Sequence, residues 1–210
     1  MKLNYWKESW HLQVKTCPCD VHFAEYLEAN QTTGKMIFHF GTGAHHVLGK
    51  LNARSPVPNE ILAVTASPDE YSKYMRFVIA NPRAGIFYKV LFADIYTLTP
   101  RMLPSFDIVT LFHLCEFYDQ KRSAYAPLDD ERLLRMFLSK LSPGGRILWY
   151  TRSGPRRANA AARRLLEQLS SEGQMVQCGE FKSLAIYAAV PEKNGEPREE
   201  ACELFTDNLY

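Results

Sequence analysis

Short apolar segments alternate with amphipathic stretches along most of the chain. The apolar segments predict strands at residues 36–40, 61–65, 86–92, 107–112, 146–151 and 184–190. Most of them are continuously apolar, which is typical of strands that are buried on both faces of a sheet. Because strands and helices alternate at this spacing, the pattern predicts an α/β fold with right-handed crossovers and a mostly parallel sheet.

The amphipathic stretches carry recognisable helix signals. A helix is indicated around residues 20–29, and Ser67-Pro68-Asp69-Glu70 is a capping box with proline at the first helical position. Its helix is expected to bury a face that contains Tyr71, Tyr74, Met75, Val78 and Ile79. Another helix, with Asp129 or Asp130 as its cap, is expected near residues 130–141. A further helix, over residues 156–172, places alanines and leucines on one side and arginines on the other.

Composition narrows the class of protein. The chain has 210 residues, of which 46% are hydrophobic, and this is enough for one well-filled core. It has no apolar run of about 18 residues, and residues 1–14 lack the apolar region of a secretory signal. The net charge is only +2, and the five cysteines are scattered and odd in number, which favours reduced thiols over a disulfide framework. We expect a cytoplasmic, single-domain protein with no membrane association.

Polar residues and glycines follow the predicted strands, where ligands bind in open α/β sheets. They are residues 41–46, 65–67, Asp94 and 113–116. Gly41-Thr42-Gly43 gives the backbone the freedom to turn sharply beside a ligand. It is not the dinucleotide fingerprint, because His46 stands where the third glycine would be. It is not a phosphate-binding loop either, since Lys50 is followed by Leu51 instead of Ser or Thr.

Five segments together resemble the class I S-adenosylmethionine-dependent methyltransferases over residues 35–190. They are FHFGTGAHH, AVTASPDEY, VLFADIYTL, SFDIVTLFHLCEFY and LSKLSPGGRILWY, which stand in the family's order. The resemblance implies a three-layer sandwich, Rossmann-like, with a mostly parallel seven-stranded sheet and an antiparallel last strand. It divides the chain into an N-terminal helical cap segment (1–34), the cofactor-binding domain (35–190) and a polar C-terminal tail (191–210).

The resemblance also implies a cofactor, S-adenosylmethionine, and the residues that would bind it. Asp94 matches the aspartate that accepts the adenine amino group, and the Phe112 backbone would flank the methionine portion. The other implied cofactor-binding residues are Gly41, Thr42, Gly43, Thr65, Ser67 and Ile95.

Three positions depart from the family pattern. His39 stands where an acidic residue usually precedes the first glycine by two places, and His45 replaces the third glycine. At the end of the second strand, Thr65 replaces a carboxylate that binds both ribose hydroxyls. Losing that charged acceptor weakens binding by about 1.5–3 kcal/mol unless something compensates. We expect Ser67 or the N-terminal segment to do so.

His113 and Glu116 are the candidate catalytic residues. An imidazole with a pKa of about 6.5 can take a proton from an acceptor, and Glu116 is close enough in sequence to orient it. The alternative for His113 is a packing or capping role. No metal site is predicted: the histidines, Cys115 and Glu116 match no known ligand spacing, and Cys17-Pro18-Cys19 has no partner pair. Tyr5, Trp6 and Trp10 can close over the cofactor or pack the first helix on the sheet.

Methyl transfer to a small-molecule acceptor is the function that this resemblance favours. Two alternatives stay open: attack on the methionine γ-carbon, with release of methylthioadenosine, and a catalytically silent binding module. A nucleic-acid acceptor is not favoured, because the arginines near residues 152–164 lie opposite an apolar helix face and no basic run is interleaved with aromatics. The sequence does not identify the acceptor or the oligomeric state.

Overall fold

The computed structural model describes residues 5–154 and 156–190. Its sheet has seven strands in the order β3-β2-β1-β4-β5-β7-β6. The strands are β1 (Met36–Phe40), β2 (Glu60–Thr65), β3 (Tyr88–Phe92), β4 (Phe106–Thr110), β5 (Leu141–Tyr150), β6 (Met175–Phe181) and β7 (Leu184–Ala189). The first five are parallel, and β7 is antiparallel to both β5 and β6. The predicted sheet and its antiparallel last strand are confirmed.

Helices cover both faces of this sheet. They are α1 (Cys19–Ala29), α2 (Val47–Asn52), α3 (Pro68–Ala80), α4 (Pro82–Phe87), α5 (Gln120–Ser123), α6 (Asp130–Leu138) and α7 (Arg156–Ser171). Two 3₁₀ turns follow β3, at Ile95–Thr97 and Pro100–Met102. Residues of α1–α3 pack with Ile37, Ile108 and Leu148 on one face, while α6 and α7 pack with Phe38 and Val109 on the other. The molecule is therefore a three-layer sandwich.

The order of the strands determines where a ligand can bind. The chain moves outward from β1 to β2 and β3, and then returns to place β4 on the other side of β1. Successive crossovers on either side of β1 diverge, which leaves a crevice at the carboxyl ends of β1 and β4. Gly41 follows β1 and His113 follows β4, so both lie at this crevice.

Several predicted boundaries are wrong by a few residues. β3 begins at Tyr88 and not at residue 86, because Pro82 starts the short helix α4, which runs to Phe87. β5 begins at Leu141, and its ladder with β4 shifts register between Phe106 and Ile108, so the Pro-Gly-Gly segment belongs to the strand.

The apolar face predicted for α3 is only partly buried. Tyr74 is buried, whereas Ile79 is 72% exposed and Met75 is also exposed. The predicted caps are confirmed: Ser67 Oγ accepts from the Glu70 backbone, and Asp129 Oδ1 accepts from the Arg132 backbone at 2.8 Å.

The N-terminal segment is not helical throughout. Residues 5–17, which we call the N-terminal strap, form irregular coil and a turn closed by a bridge between Gln13 and Cys17, and the helix α1 starts only at Cys19. The strap is bonded to the loops that follow β2 and β1: Trp6 N–H donates to the Ala66 carbonyl at 2.8 Å, and Ala44 N–H donates to the Trp10 carbonyl at 2.7 Å. It therefore crosses the crevice.

Two further expectations concern cysteines and membranes. Cys17, Cys19 and Cys115 are free thiols, as expected, but Cys178 is disulfide-bonded. Within the described residues, no helix combines the length and the apolar character that crossing a bilayer requires. The predicted polar tail, 191–210, lies outside the described residues.

Candidate active site

A cavity of about 390 Å³ lies at the carboxyl ends of β1–β5, beneath the N-terminal strap. Its volume falls within the range of about 300–1,000 Å³ that is common for small-molecule sites. Eight of the ten predicted site residues line it: Gly41, Gly43, Thr65, Ser67, Asp94, Ile95, His113 and Glu116.

The other two predicted residues do not line the cavity. Phe112 is fully buried, and its ring packs edge-on against Phe23 of α1 and against His39. The side chain of Phe112 therefore belongs to the core. Thr42 is also buried, and its Oγ1 has no hydrogen-bond partner among the described residues.

The glycine-rich loop adopts the backbone conformation that its glycines permit. Gly41 and Gly43 have φ of +85° and +53°, in the left-handed region. A Cβ on Gly41 would lie 3.4 Å from His113 Cδ2, and a Cβ on Gly43 would overlap the His45 ring. The absent third glycine thus has a structural consequence, because the imidazole that replaces it covers Gly43.

A carboxylate does stand at the end of β2, although Thr65 is not one. Thr65 Oγ1 donates to Glu70 Oε2 at 2.6 Å, and the Trp10 backbone donates to Glu70 Oε1 at 3.0 Å. Burial raises the pKa of Glu70, and these two hydrogen bonds oppose that shift. The N-terminal strap thus contacts this carboxylate through the Trp10 backbone, and the acidic group itself comes from α3.

A second carboxylate reaches the end of β1 from α1. Asp20 Oδ1 lies 3.5 Å from His39 Nε2, and Asp20 Oδ2 lies 3.3 Å from His45 Nε2. Burial raises the pKa of Asp20 to about 7 and lowers the pKa values of His39 and His45 to about 3 and about 4. Near neutral pH both imidazoles are therefore uncharged. Asp20 therefore places a carboxyl group at the end of β1, where position 39 itself carries a histidine.

Asp94 makes more contacts than the sequence indicated. Its Oδ1 accepts from the Tyr96 backbone at 3.1 Å, and its Oδ2 accepts from Arg122 Nε at 3.2 Å and from the Tyr125 hydroxyl at 2.6 Å. Arg122 is buried, and its guanidinium lies 6.0 Å from the centroid of the Trp6 ring. The carboxylate therefore organises the loop after β4 in addition to lining the cavity.

His113 and Glu116 lie together at the end of β4, as the sequence predicted. His113 Nδ1 is 3.2 Å from Glu116 Oε1, and Glu116 also accepts a hydrogen bond from Ser153. Burial lowers the pKa of His113, but the hydrogen bond and the charge of Glu116 outweigh it, so that the pKa is raised overall.

Two thiols lie beside this pair, which sequence spacing did not indicate. Cys17 Sγ and Cys19 Sγ are 3.5 Å apart, and one ligand atom each of Cys17, Cys19 and His113 lie within 4.8 Å of one another. A hydrogen bond from Cys19 lowers the pKa of Cys17 to about 6, and the same bond raises the pKa of Cys19. The thiols and His113 are far apart in sequence, and α1 must pack on the sheet to bring them together.

Comparisons with known proteins bear on this geometry. No protein-family model matches the chain, and no curated protein matches it in sequence. A protein from Methanococcus maripaludis assigned to the S-adenosyl-L-methionine-dependent methyltransferases matches the fold with a TM-score of 0.58 at 11% identity, over 86% of this chain and 89% of that one. The chain has the class I methyltransferase fold.

Two further structures agree with this methyltransferase fold. TrmN from Thermus thermophilus gives a TM-score of 0.52 at 17% identity over 79% of this chain, which spans about half (48%) of TrmN. Magnesium protoporphyrin IX methyltransferase (ChlM) from Synechocystis PCC 6803, solved with bound SAM, gives 0.50 at 14% identity, over 79% of this chain and 74% of that one. At such identities the likeness defines the fold and leaves the substrate open.

The sequence does not predict three of the groups that the fold places at this cavity. Glu70 had been assigned only to a capping box, Asp20 only to the first turn of a helix, and Cys17 to a motif without a partner. Each depends on a contact between distant segments. The only signal in the sequence is negative: positions 39 and 65 lack the acids that the resemblance leads one to expect there.

Proposed function

We propose that the chain is an S-adenosylmethionine-dependent methyltransferase that acts on a small-molecule acceptor. One observation carries this proposal: a carboxylate, Glu70, stands at the end of β2 in the cavity at the switch point of a methyltransferase sheet. A buried carboxylate there suits the two ribose hydroxyls, because it can accept a hydrogen bond from each. It offsets the absence of an acid at Thr65.

The rest of the cavity fits the other parts of this cofactor. Ile95 and Trp6 offer apolar surface for the adenine, and the Trp6 Nε1 is buried without a hydrogen-bond partner among the described residues. Asp94 would accept the adenine amino group in addition to the bonds that it already accepts. Asp20 would face the methionine ammonium across the backbone of Gly41, which lines the cavity. A cation there would favour the charged form of Asp20.

We assign the acceptor to the part of the cavity formed by the carboxyl ends of β4 and β5, away from Asp94 and Ile95. When bound, S-adenosylmethionine supplies an electrophilic methyl group on a sulfonium. His113 lies where an acceptor hydroxyl, amine or thiol would lose its proton, and Glu116 orients the imidazole. Most of the rate enhancement is expected from holding the acceptor in line with the sulfur–methyl bond, in a cavity beneath the N-terminal strap.

A small acceptor is favoured over a nucleic acid because the N-terminal strap covers the crevice. Trp6 and Trp10 both line the cavity, and their backbones are hydrogen-bonded to the loops that follow β2 and β1. The arginines of α7 are exposed on its outer side, as expected for a solvated face. A polynucleotide would need the strap to leave.

The test combines binding with product identification. Calorimetry with S-adenosylmethionine and S-adenosylhomocysteine should give one site per chain. Incubation with the cofactor and fractionated small-molecule extract should then release S-adenosylhomocysteine, identified by mass spectrometry. Methylthioadenosine would instead indicate attack on the γ-carbon. Absence of binding of either nucleoside to the folded chain would contradict the proposal and leave a silent module.

A further inference from the structure

We propose that Cys17, Cys19 and His113 form a binding site for a thiophilic divalent cation of the zinc class. We call these three residues the thiol–imidazole cluster. Their ligand atoms lie within 4.8 Å of one another, and the two sulfurs are 3.5 Å apart. Tetrahedral zinc with bonds of about 2.3 Å separates two thiolates by about 3.8 Å. The sulfurs therefore need to move apart by only a few tenths of an ångström.

Glu116 supports the same interpretation. Metal-binding histidines commonly donate their other ring N–H to a carboxylate, which fixes the tautomer and the direction of the ring. His113 Nδ1 faces Glu116 Oε1 at 3.2 Å, so Nε2 would be the metal ligand. Glu116 is itself held by a hydrogen bond from Ser153. With Nδ1 at Glu116, Nε2 is the ring nitrogen left to bind a cation.

The ligands come from two parts of the chain that the fold brings together. Cys17 ends the N-terminal strap, Cys19 begins α1, and His113 follows β4. A cation bound by all three would fasten the strap to the sheet. The site differs from typical structural zinc sites, which have four protein ligands, because the cluster supplies only three.

The fourth coordination position would be open to the cavity. All three ligands line the cavity, at the end where β4 and β5 terminate, whereas Asp94 follows β3 at the other end. Three protein ligands with one open position are typical of catalytic zinc sites. An acceptor thiol, amine or hydroxyl bound there would lose its proton to solvent more readily, since the cation lowers its pKa.

This second step rests on the proposed function, whereas the cation site does not. In the metal-loaded protein His113 would act as a ligand, and the cation would replace the imidazole as the group that activates the acceptor. The substrate class is thereby narrowed to nucleophiles that bind zinc, with thiols first, because thiolates are preferred ligands of zinc-class cations.

The test uses cobalt and zinc as probes with the full chain. Protein that has been reduced and treated with chelator is titrated with Co²⁺ without cofactor, and the absorption spectrum is recorded. We expect one Co²⁺ per chain, a sulfur-to-cobalt charge-transfer band, the visible bands of four-coordinate cobalt, and displacement by Zn²⁺. Cys17→Ser and Cys19→Ser should each weaken or remove the band. Cys115→Ser, a free thiol outside the cluster, should leave it unchanged.

Glu116→Gln tests whether His113 binds the ion together with the two thiols, or whether the thiols bind it without the histidine. This variant should keep the charge-transfer band but weaken Co²⁺ binding about 10–100-fold, because the carboxylate orients His113 without touching the ion. Circular dichroism of each variant without metal checks that it is folded.

The possible failures are distinguishable. If folded, reduced wild-type protein gives no sulfur-to-cobalt band, or if the band survives in a Cys17→Ser/Cys19→Ser double variant, the cation site is wrong. Neither result bears on the binding of S-adenosylmethionine, which is measured separately. Conversely, a cobalt band in a chain that binds no nucleoside would support the cation site and contradict the proposed function.

Discussion

The Thr65 hydroxyl donates a hydrogen bond of 2.6 Å to the Glu70 carboxylate, and so joins the last residue of β2 to the first turn of α3. In a complete capping box, the glutamate would return to the backbone N–H of Ser67. Here that N–H donates to Thr65 Oγ1 at 3.1 Å instead. The carboxylate of Glu70 is therefore turned into the cavity, and one short motif both starts a helix and supplies a charge.

Glu70→Gln should weaken S-adenosylmethionine binding about 10–100-fold. The amide keeps the size of the side chain but removes the charge, and a hydrogen bond to a charged group contributes about 1.5–3 kcal/mol. Isothermal calorimetry near neutral pH measures the change. Glu60→Gln is the matched control, because Glu60 is exposed at the opposite end of the same strand. Equal affinity of Glu70→Gln and wild type would show that the ribose lies elsewhere.

The fold was predictable because its signals are local. Apolar runs identify six of the seven strands, and Ser67 and Asp129 identify helix starts. The errors are displaced ends, such as residues 86–87, where Pro82 begins a helix, and short elements such as α5, which has no such signal. The carboxyl ends of the strands also follow from the sequence. The positions of Gly41 and His113 at the cavity could therefore be predicted.

The missing parts of the site depend on contacts between distant segments. Asp20 meets His39 and His45 only because α1 packs across β1, and Cys17 reaches His113 only because the strap crosses the crevice. Neither distance is encoded by spacing within a motif. A sequence can show that a carboxylate is absent from its usual position, but a carboxylate that reaches that position from another element becomes visible only in the fold.

Asp94→Asn should lower the free energy of unfolding by about 3 kcal/mol, because it leaves the buried guanidinium of Arg122 without its buried charged partner. Asp119→Asn should lower it by only about 1 kcal/mol, although Asp119 also contacts Arg122, because half of the Asp119 side chain is exposed. Urea unfolding of the cofactor-free protein measures both. Similar small losses for the two variants would mean that Asp94 is not structural and acts mainly on the ligand.

Gly43 and His45 should show a strong coupling in a double-mutant cycle. Gly43→Ala alone should destabilise by about 2–4 kcal/mol, because the new methyl group combines backbone strain with overlap of the His45 ring. In a His45→Ala background the overlap is gone, and only about 1–2 kcal/mol of strain should remain. Urea unfolding of the four proteins gives the coupling energy, and strictly additive losses would show that the ring moves aside freely.

His46 should make the stability of the protein depend on pH between about 4 and 6.5. Its ring is buried between the Tyr88 hydroxyl, 3.1 Å from Nδ1, and the Glu70 carbonyl, 3.1 Å from Nε2. Burial lowers the pKa of His46 from 6.5 to about 4, and the bond to the Glu70 carbonyl opposes this shift only in part. The folded protein therefore holds a neutral imidazole over a range in which the unfolded chain is protonated.

The sign of the effect follows from this difference in bound protons. Below pH 6.5 the unfolded chain binds more protons at this position, so the free energy of unfolding falls as the pH falls, until the folded protein is protonated as well near pH 4. The contribution of His46 to the free energy of unfolding changes by about 3 kcal/mol over the whole window.

His46→Asn should reduce the slope of the free energy of unfolding against pH by up to the value for one proton. Asparagine tolerates the φ of +46° at this position. Urea unfolding at several pH values compares this variant with His11→Asn, which changes an exposed histidine. If His46→Asn lowers stability equally at every pH, the imidazole contributes packing and no proton linkage.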